Sequence, residues 1–540
     1  MRVAGVLVSF IFGVLLTAGA AAQEQHQHPA GDPQQLGEVH FPNSCHEAVQ
    51  KKFNRAVAML HSFWYEMVAA RFTEITQQDP SCAMAYWGIA MSHYHPLWET
   101  PGKESLQAGK QAIEKGQAIG ARTQREQDYV AALASFYRDF DKVDHLTRVR
   151  DYEEAMQRLH QNYPEDKEAA IFYALSLLGT ATAAAPDPGF AKQKQAGKIL
   201  AKLFPEQPNH PGLAHYIIHS YDYPPLAALG LEAARRYAKI SPDSPHAQHM
   251  PSHIFTRLGL WEESIDSNLN SAAAARRHAD TGDELHALDY LMYAYLQLGR
   301  DQEAGKLLDQ LPETKPGTAT YLAGIFGRAA MPARYVLERR DWPAAAKLKI
   351  PVGLFPGGRY AWTEATLHFA RGLGAVRTGN TETAREIVTL LKAARETLRQ
   401  AKEDYWAEQV DVQRLTVAAW LALAEGNQRE AVEFMRAAAD REDELGKHPV
   451  TPGAIAPARE LLGEMLLEVD RPQEALAEFE AVLRSAPNRF NAFYGVARAA
   501  ERAGDEGKAR EYYGKLAELA AAGDGDRPAI KKAHAFLARK

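Results

Sequence analysis

Five histidines in two short stretches have the spacing of metal ligands. NHPGLAHYIIHSYD (209–222) carries His215 and His219, and PHAQHMPSHIFTRLG (245–259) carries His246, His249 and His253, with Arg257 four residues on. Residues three or four apart share one face of a helix. An i, i+4 pair of imidazoles offers two ligands to one ion, and imidazole suits zinc, copper, iron or nickel. The pair His215/His219 precedes the pair His249/His253 by 34 residues. Packed helices lie about 8–10 Å apart, so four rings on neighbouring helices can converge. His215, His219, His249 and His253 are therefore candidate metal ligands, with Zn, Cu or Fe as the candidate cofactor.

Two other readings fit the same face. The first is the expected function, a binding or scaffold role in which the rings hydrogen-bond a peptide or small anion, with Arg257 and Arg334 offering forked donors to a carboxylate, and the metal site is its alternative. The rings can also bury against each other and nearby tyrosines as a satisfied polar core. No HExxH, GxSxG, phosphate-binding loop or strand-borne GxGxxG occurs, so no catalytic residue is assigned.

The elements that position these residues must come from 540 residues, enough for several domains or one solenoid. Hydrophobic content of 46% and charged content of 24% are globular values. A net charge of −6 without a basic stripe excludes nucleic acid as the expected partner. Residues 1–22 read as a secretory signal peptide: Arg2, an apolar run from Val3 to Leu16, then Ala20-Ala21-Ala22. A periplasmic or secreted protein is expected. Residues 23–40 read as a flexible leader in which His26 and His28 are incidental. No later segment has the roughly 18 apolar residues of a membrane span. Cys45 and Cys82 are the only cysteines, and an oxidising compartment makes them a candidate disulfide.

The chain repeats itself. LGLWEESIDSNLNSAAAA (258–275), LGRDQEAGKLLDQLP (298–312), RTGNTETAREIVTLL (377–391), AEGNQREAVEFMRAA (424–438) and RAGDEGKAREYYGKL (502–516) each place Gly, then a small residue, then an apolar stripe. VDRPQEALAEFEAVLRSAPN (469–488) adds Ala475, Phe479 and a closing Pro487. This pattern resembles the tetratricopeptide repeat (TPR), a helix–turn–helix of about 34 residues. HFPNSC (40–45), FNRAVAMLHSFWYEMVAARF (53–72), DPSCAMAYWGIAMSHYHPLW (79–98) and HMPSHIFTRLG (249–259) look like a group of secreted bacterial TPR proteins of undefined activity. The resemblance implies an all-α, right-handed α-solenoid of TPR-like helix–turn–helix repeats and a protein or peptide partner. It divides the chain into an N-terminal solenoid with a His-rich groove (41–300), less regular middle repeats (301–400) and C-terminal repeats (401–540).

In such a repeat the first helix lines a concave groove, and its inward positions count back from the turn glycine. From Gly259 they are Arg257, His253, His249 and His246; from Gly299 they are Tyr293, Asp289 and His286. Arg334 stands where MPARYVLERRDW (331–342) echoes MPSHIFTRLGLW (250–261). These eight residues are the expected ligand-binding groove, with Asp289 a candidate metal ligand or partner of a histidine. Pro251 is expected to kink its helix and turn the Ala247 carbonyl toward the groove. As groove residues are exposed in this reading, substituting them is expected to cost within roughly 0.5 kcal/mol.

Overall fold

A computed structural model describes residues 35–97, 100–311, 322–351, 355 and 357–539. The expected signal peptide, most of the expected leader with His26 and His28, and much of the stretch after Leu311 lie outside these residues. Every regular element among the described residues is helical. Most helices pack chiefly on a neighbour in sequence, which makes the chain a TPR-like α-solenoid. Its apolar core runs along the solenoid, with one stretch spanning Leu36–Phe255 and another Leu322–Ala499.

The last residues of the expected leader pack on the solenoid. Leu36 is 4% exposed, and the Glu38 amide donates to the Asn209 carbonyl at 2.9 Å. Cys45 and Cys82 are joined in a disulfide that pins the segment before helix Glu47–His61 to the start of helix Ala83–Ser92.

The histidine helices are Pro211–Tyr221, Pro245–His249, Pro251–Leu258 and Thr281–Gln297. Helices Pro245–His249 and Pro251–Leu258 meet at Met250, which keeps helical angles (φ −54°, ψ −34°), and Pro251 takes the first position of the second. Two carbonyls either side of Ala247 accept hydrogen bonds from helix Trp261–Arg277. The Ser267 hydroxyl donates to Gln248 O and the Ser271 hydroxyl to Pro245 O at 2.9 Å. Pro332, by contrast, sits within the continuous helix Leu322–Glu338.

Two distant parts of the chain meet beside these helices. Gly259 turns at φ +68°, and a Cβ there would collide with the Pro487 carbonyl, so only glycine serves. Trp261 Nε1–H donates to Asn488 O at 2.8 Å, and Asn488 Nδ2 donates back to Gly259 O at 3.2 Å. A turn further on, the Asp524 amide donates to Gly299 O, and Arg527 pairs with Asp301. The solenoid thus curls until its C-terminal repeats touch its middle. The non-helical stretch 446–457, between helices Gln428–Leu445 and Ala458–Glu468, crosses the concave side as a strap.

Candidate metal centre

The curl and the strap bury what was expected to be an open groove. His246, His249, His253 and His286 are all at most 5% exposed, and Asp289 and Arg334 are fully buried. The expected tolerance of substitution at these positions falls with their exposure.

Six imidazoles gather as two sets of three. Within each set, the ring nitrogens lie within 4.8 Å of one another. The first set is His215, His219 and His246. The second is His249, His253 and His286. The two HxxxH pairs therefore do not converge on one point: each anchors its own triad, and each triad takes a third ring from the next of the histidine helices. His215 Nε2 lies 3.0 Å from His219 Nε2 and 3.1 Å from His246 Nε2. His249 Nε2 lies 3.0 Å from His253 Nε2. Metal–imidazole bonds of about 2.0–2.1 Å at angles of roughly 90–110° place ligand nitrogens about 3 Å apart.

Proton accounting separates the triads from ordinary hydrogen bonding. Asn268 Nδ2 donates to Ser264 O at 2.7 Å, which fixes that amide and leaves its Oδ1 facing His249 Nδ1 at 2.7 Å. His249 therefore carries its proton on Nδ1. His253 Nδ1 faces the Asp222 carboxylate at 2.9 Å and donates to it. Both Nε2 atoms then present bare lone pairs to each other across 3.0 Å. Protonation is no escape, because burial pushes His249 well below its ordinary pKa and lowers His253 despite Asp222. His286 Nδ1 is also buried without a hydrogen-bond partner. In the first triad, His215 Nδ1–H donates to His61 O at 2.6 Å, so a single Nε2 lone pair serves two neighbours. Burial takes His215 down to about 3. Neutral imidazoles with fixed tautomers and converging lone pairs are metal donors.

The surroundings hold the rings. Phe63 packs on His215, His219 and His246, and Tyr290 stacks on His253 with a centroid distance of 5.1 Å. Tyr290 O–H donates to Thr451 O of the strap at 3.0 Å. Asp222 accepts from Arg257 Nε at 2.9 Å and from Lys447 Nζ at 2.8 Å. Burial opposes its ionisation, but Lys447, Arg257 and His253 hold its carboxyl well below the usual range. Burial in turn takes Lys447 down to about 8.

The remaining groove candidates are engaged elsewhere. Arg257 and Arg334 are not free to fork a ligand carboxylate. Arg257 is bound to Asp222, while Arg334 pairs with Asp289 at 3.3 Å and donates to Ala454 O of the strap at 2.9 Å. Asp289 therefore orients no histidine. Tyr293 accepts from Arg489 at 3.0 Å.

His61, the last residue of helix Glu47–His61, backs the first triad through its carbonyl. Gly212 makes room for it, since a Cβ there would meet His61 Nδ1 at 2.6 Å. Asp222, Asn268, Tyr290 and Lys447 escape sequence reasoning. The signal available was the Pro- and Gly-rich GKHPVTPGAIAP (446–457), a long unpatterned stretch between otherwise clean repeats.

Among the described residues, no helix is long and apolar enough to cross a membrane. No family model and no curated protein matches the chain. Two solved structures give a distant fold likeness. One, of Naa15/Naa10 bound to HypK-THB, is 9% identical with a TM-score of 0.25 over 90% of both chains. The other, of the APC/C hetero-tetramer Cut9-Hcn1, is 11% identical with a TM-score of 0.31, over 91% of this chain and 95% of that one. Neither likeness bears on what this chain binds.

Proposed function

We propose that this chain is a TPR-like metal-binding protein whose two buried histidine triads hold a pair of transition-metal ions, zinc, copper or iron. The observation that carries this reading is the 3.0 Å contact between His249 Nε2 and His253 Nε2, with the Nδ1 proton of each ring already given to Asn268 and Asp222. Two lone pairs so placed repel unless a cation lies between them. The nearest other proton, on the Tyr290 hydroxyl 3.3 Å from His253 Nε2, goes to the Thr451 carbonyl at 3.0 Å, which can only accept. The peptide-groove reading has lost its two guanidinium donors to Asp222 and Asp289. An exported protein is proposed with it, supported by the leader pattern and the Cys45–Cys82 disulfide.

Elemental analysis of the full chain, purified without a histidine tag, tests the reading. Two metal ions per chain are expected, falling to one in His215→Ala and to one in His249→Ala. A chain that takes up neither zinc, copper nor iron on incubation refutes it.

A further inference from the structure

Met250 joins helices Pro245–His249 and Pro251–Leu258 with helical angles of its own. It lies four residues after His246 and three before His253, so the three side chains share one face. Long side chains on a helix lean back over the preceding turn, a direction that leads from Met250 toward His246 and the first triad. Met250 is fully buried. It helps to wall a void lined by His219 and His246 of the first triad, together with His253 and His286 of the second. We infer that the Met250 thioether is the fourth ligand of the His215/His219/His246 site and makes that site selective for copper(I). The inference rests on the metal-binding reading above.

Coordination leaves a place for it. Three imidazoles give a four-coordinate ion one position still to fill. The void beside them has room for about one water molecule, so the occupant of that position is either a single small ligand or a side chain already in the wall. Methionine is unbranched, with three rotatable bonds and a polarizable sulfur, and reaches such a position by a change of rotamer alone. The other walls, Ala323, Pro449 and Val450, offer no side-chain donor atom.

Donor type then selects the ion. Thioether sulfur is a soft donor that favours copper(I), and imidazole also suits copper. Charge argues the same way. The first triad brings no negative charge, since no carboxylate belongs to the set. The cost of burying an uncompensated ion rises steeply with its charge, so a monovalent ion suits this site better than a divalent one. The second triad differs, because the Asp222 carboxylate accepts from His253 Nδ1. A thioether also forms no disulfide, so it stays a soft donor in a chain whose cysteines are joined.

The test loads the full chain with copper(I) under anaerobic, reducing conditions and separately with zinc, and measures each affinity by competition with a chelator. Met250→Leu, a volume-conserving change, is expected to weaken copper(I) at one site by about tenfold or more while zinc affinity changes by less than about twofold. Copper-edge X-ray absorption on the unaltered chain is expected to show a sulfur neighbour, a readout that does not depend on how the variant folds. The signal should vanish in Met250→Leu. A copper spectrum without sulfur, a copper(I) affinity that Met250→Leu leaves unchanged, or an equal loss of zinc affinity overturns the inference. So does a chain that takes zinc and refuses copper(I). Each of these makes Met250 a core residue only and leaves the metal reading standing. A chain that binds no copper, zinc or iron overturns both.

Discussion

Among the described residues, the cluster His61/Glu168/His210 and the triad His249/His253/His286 both have the composition of a metal site, and their protons are placed differently. His61, Glu168 and His210 are buried together with ligand atoms within 4.8 Å of one another. Their protons are fully placed. His61 Nε2–H and His210 Nε2–H each donate to one Glu168 oxygen, at 3.0 and 2.9 Å. Tyr216 O–H donates to His61 Nδ1 at 2.9 Å, and the Leu213 amide donates to His210 Nδ1. Burial disfavours a charged Glu168, but His210 and His61 bring its carboxyl down to about 2. In the His249/His253/His286 triad, the same kind of accounting leaves two lone pairs facing each other. Residue type and proximity do not distinguish structural from ligating histidines. The placement of the second proton does.

The sharpest way to break this contrast is Glu168→Ala. It strands two buried N–H donors, each at about 1–3 kcal/mol. Denaturation should show that loss equally with and without metal, with metal content unchanged. A loss of metal instead would make the His61 cluster a ligand set.

His249→Ala should behave oppositely. It removes the metal-dependent part of stability at its triad, about 4 kcal/mol at a free-metal concentration a thousand times the dissociation constant. In metal-free protein it leaves only the cost of the stranded Asn268 oxygen and a small void, about 1–3 kcal/mol. Melting curves with and without zinc separate the two, and an equal loss in both would favour a packed core.

Acidification probes the metal-free triads. Their folded pKa values lie below the ordinary value near 6.5, down to about 3 for His215. As pH falls through 6.5 the unfolded chain takes up protons that the folded chain refuses. Stability is therefore complete above about 6.5 and drains away toward pH 3, by up to about 1.4 kcal/mol per pH unit for each such histidine. Urea denaturation at pH 7.5, 6.5 and 5.5 reads the slope. A flat profile contradicts the burial of neutral rings.

Smaller effects sharpen the picture. Asp222→Asn keeps the size of the group that orients His253 and removes its charge. A 10- to 100-fold loss in metal affinity at the second triad is expected, measured by competition with a chelator. Tyr290→Phe removes the hydrogen bond to Thr451 O and should cost about 0.5–1.5 kcal/mol with metal content unchanged. A lost metal ion would promote Tyr290 from packing residue to ligand.

Much of this was legible beforehand. The glycine-marked period made the solenoid visible, and inward positions counted from Gly259 and Gly299 picked out His246, His249, His253 and His286. The partition into triads was not. It depends on which rings meet across helices: His246 lies with His215 and His219, while His249 lies 4.1 Å, centroid to centroid, from His286. The strap was hidden for a different reason. Lys447 lies 225 residues from the Asp222 it binds, and no local pattern encodes a contact at that range.

The contact between Gly259 and Pro487, with Trp261 bound to Asn488, also sets a rule for how this chain can vary in length. An open repeat array gains or loses a unit without disturbing distant ones. Here the repeats between residues 261 and 487 form an arch with both feet fixed. Adding or deleting one unit would shift the far foot by a whole repeat and part Trp261 from Asn488, Asp301 from Arg527 and Asp222 from Lys447. Insertions should therefore be tolerated in the loops of the arch and not in the number of its stones.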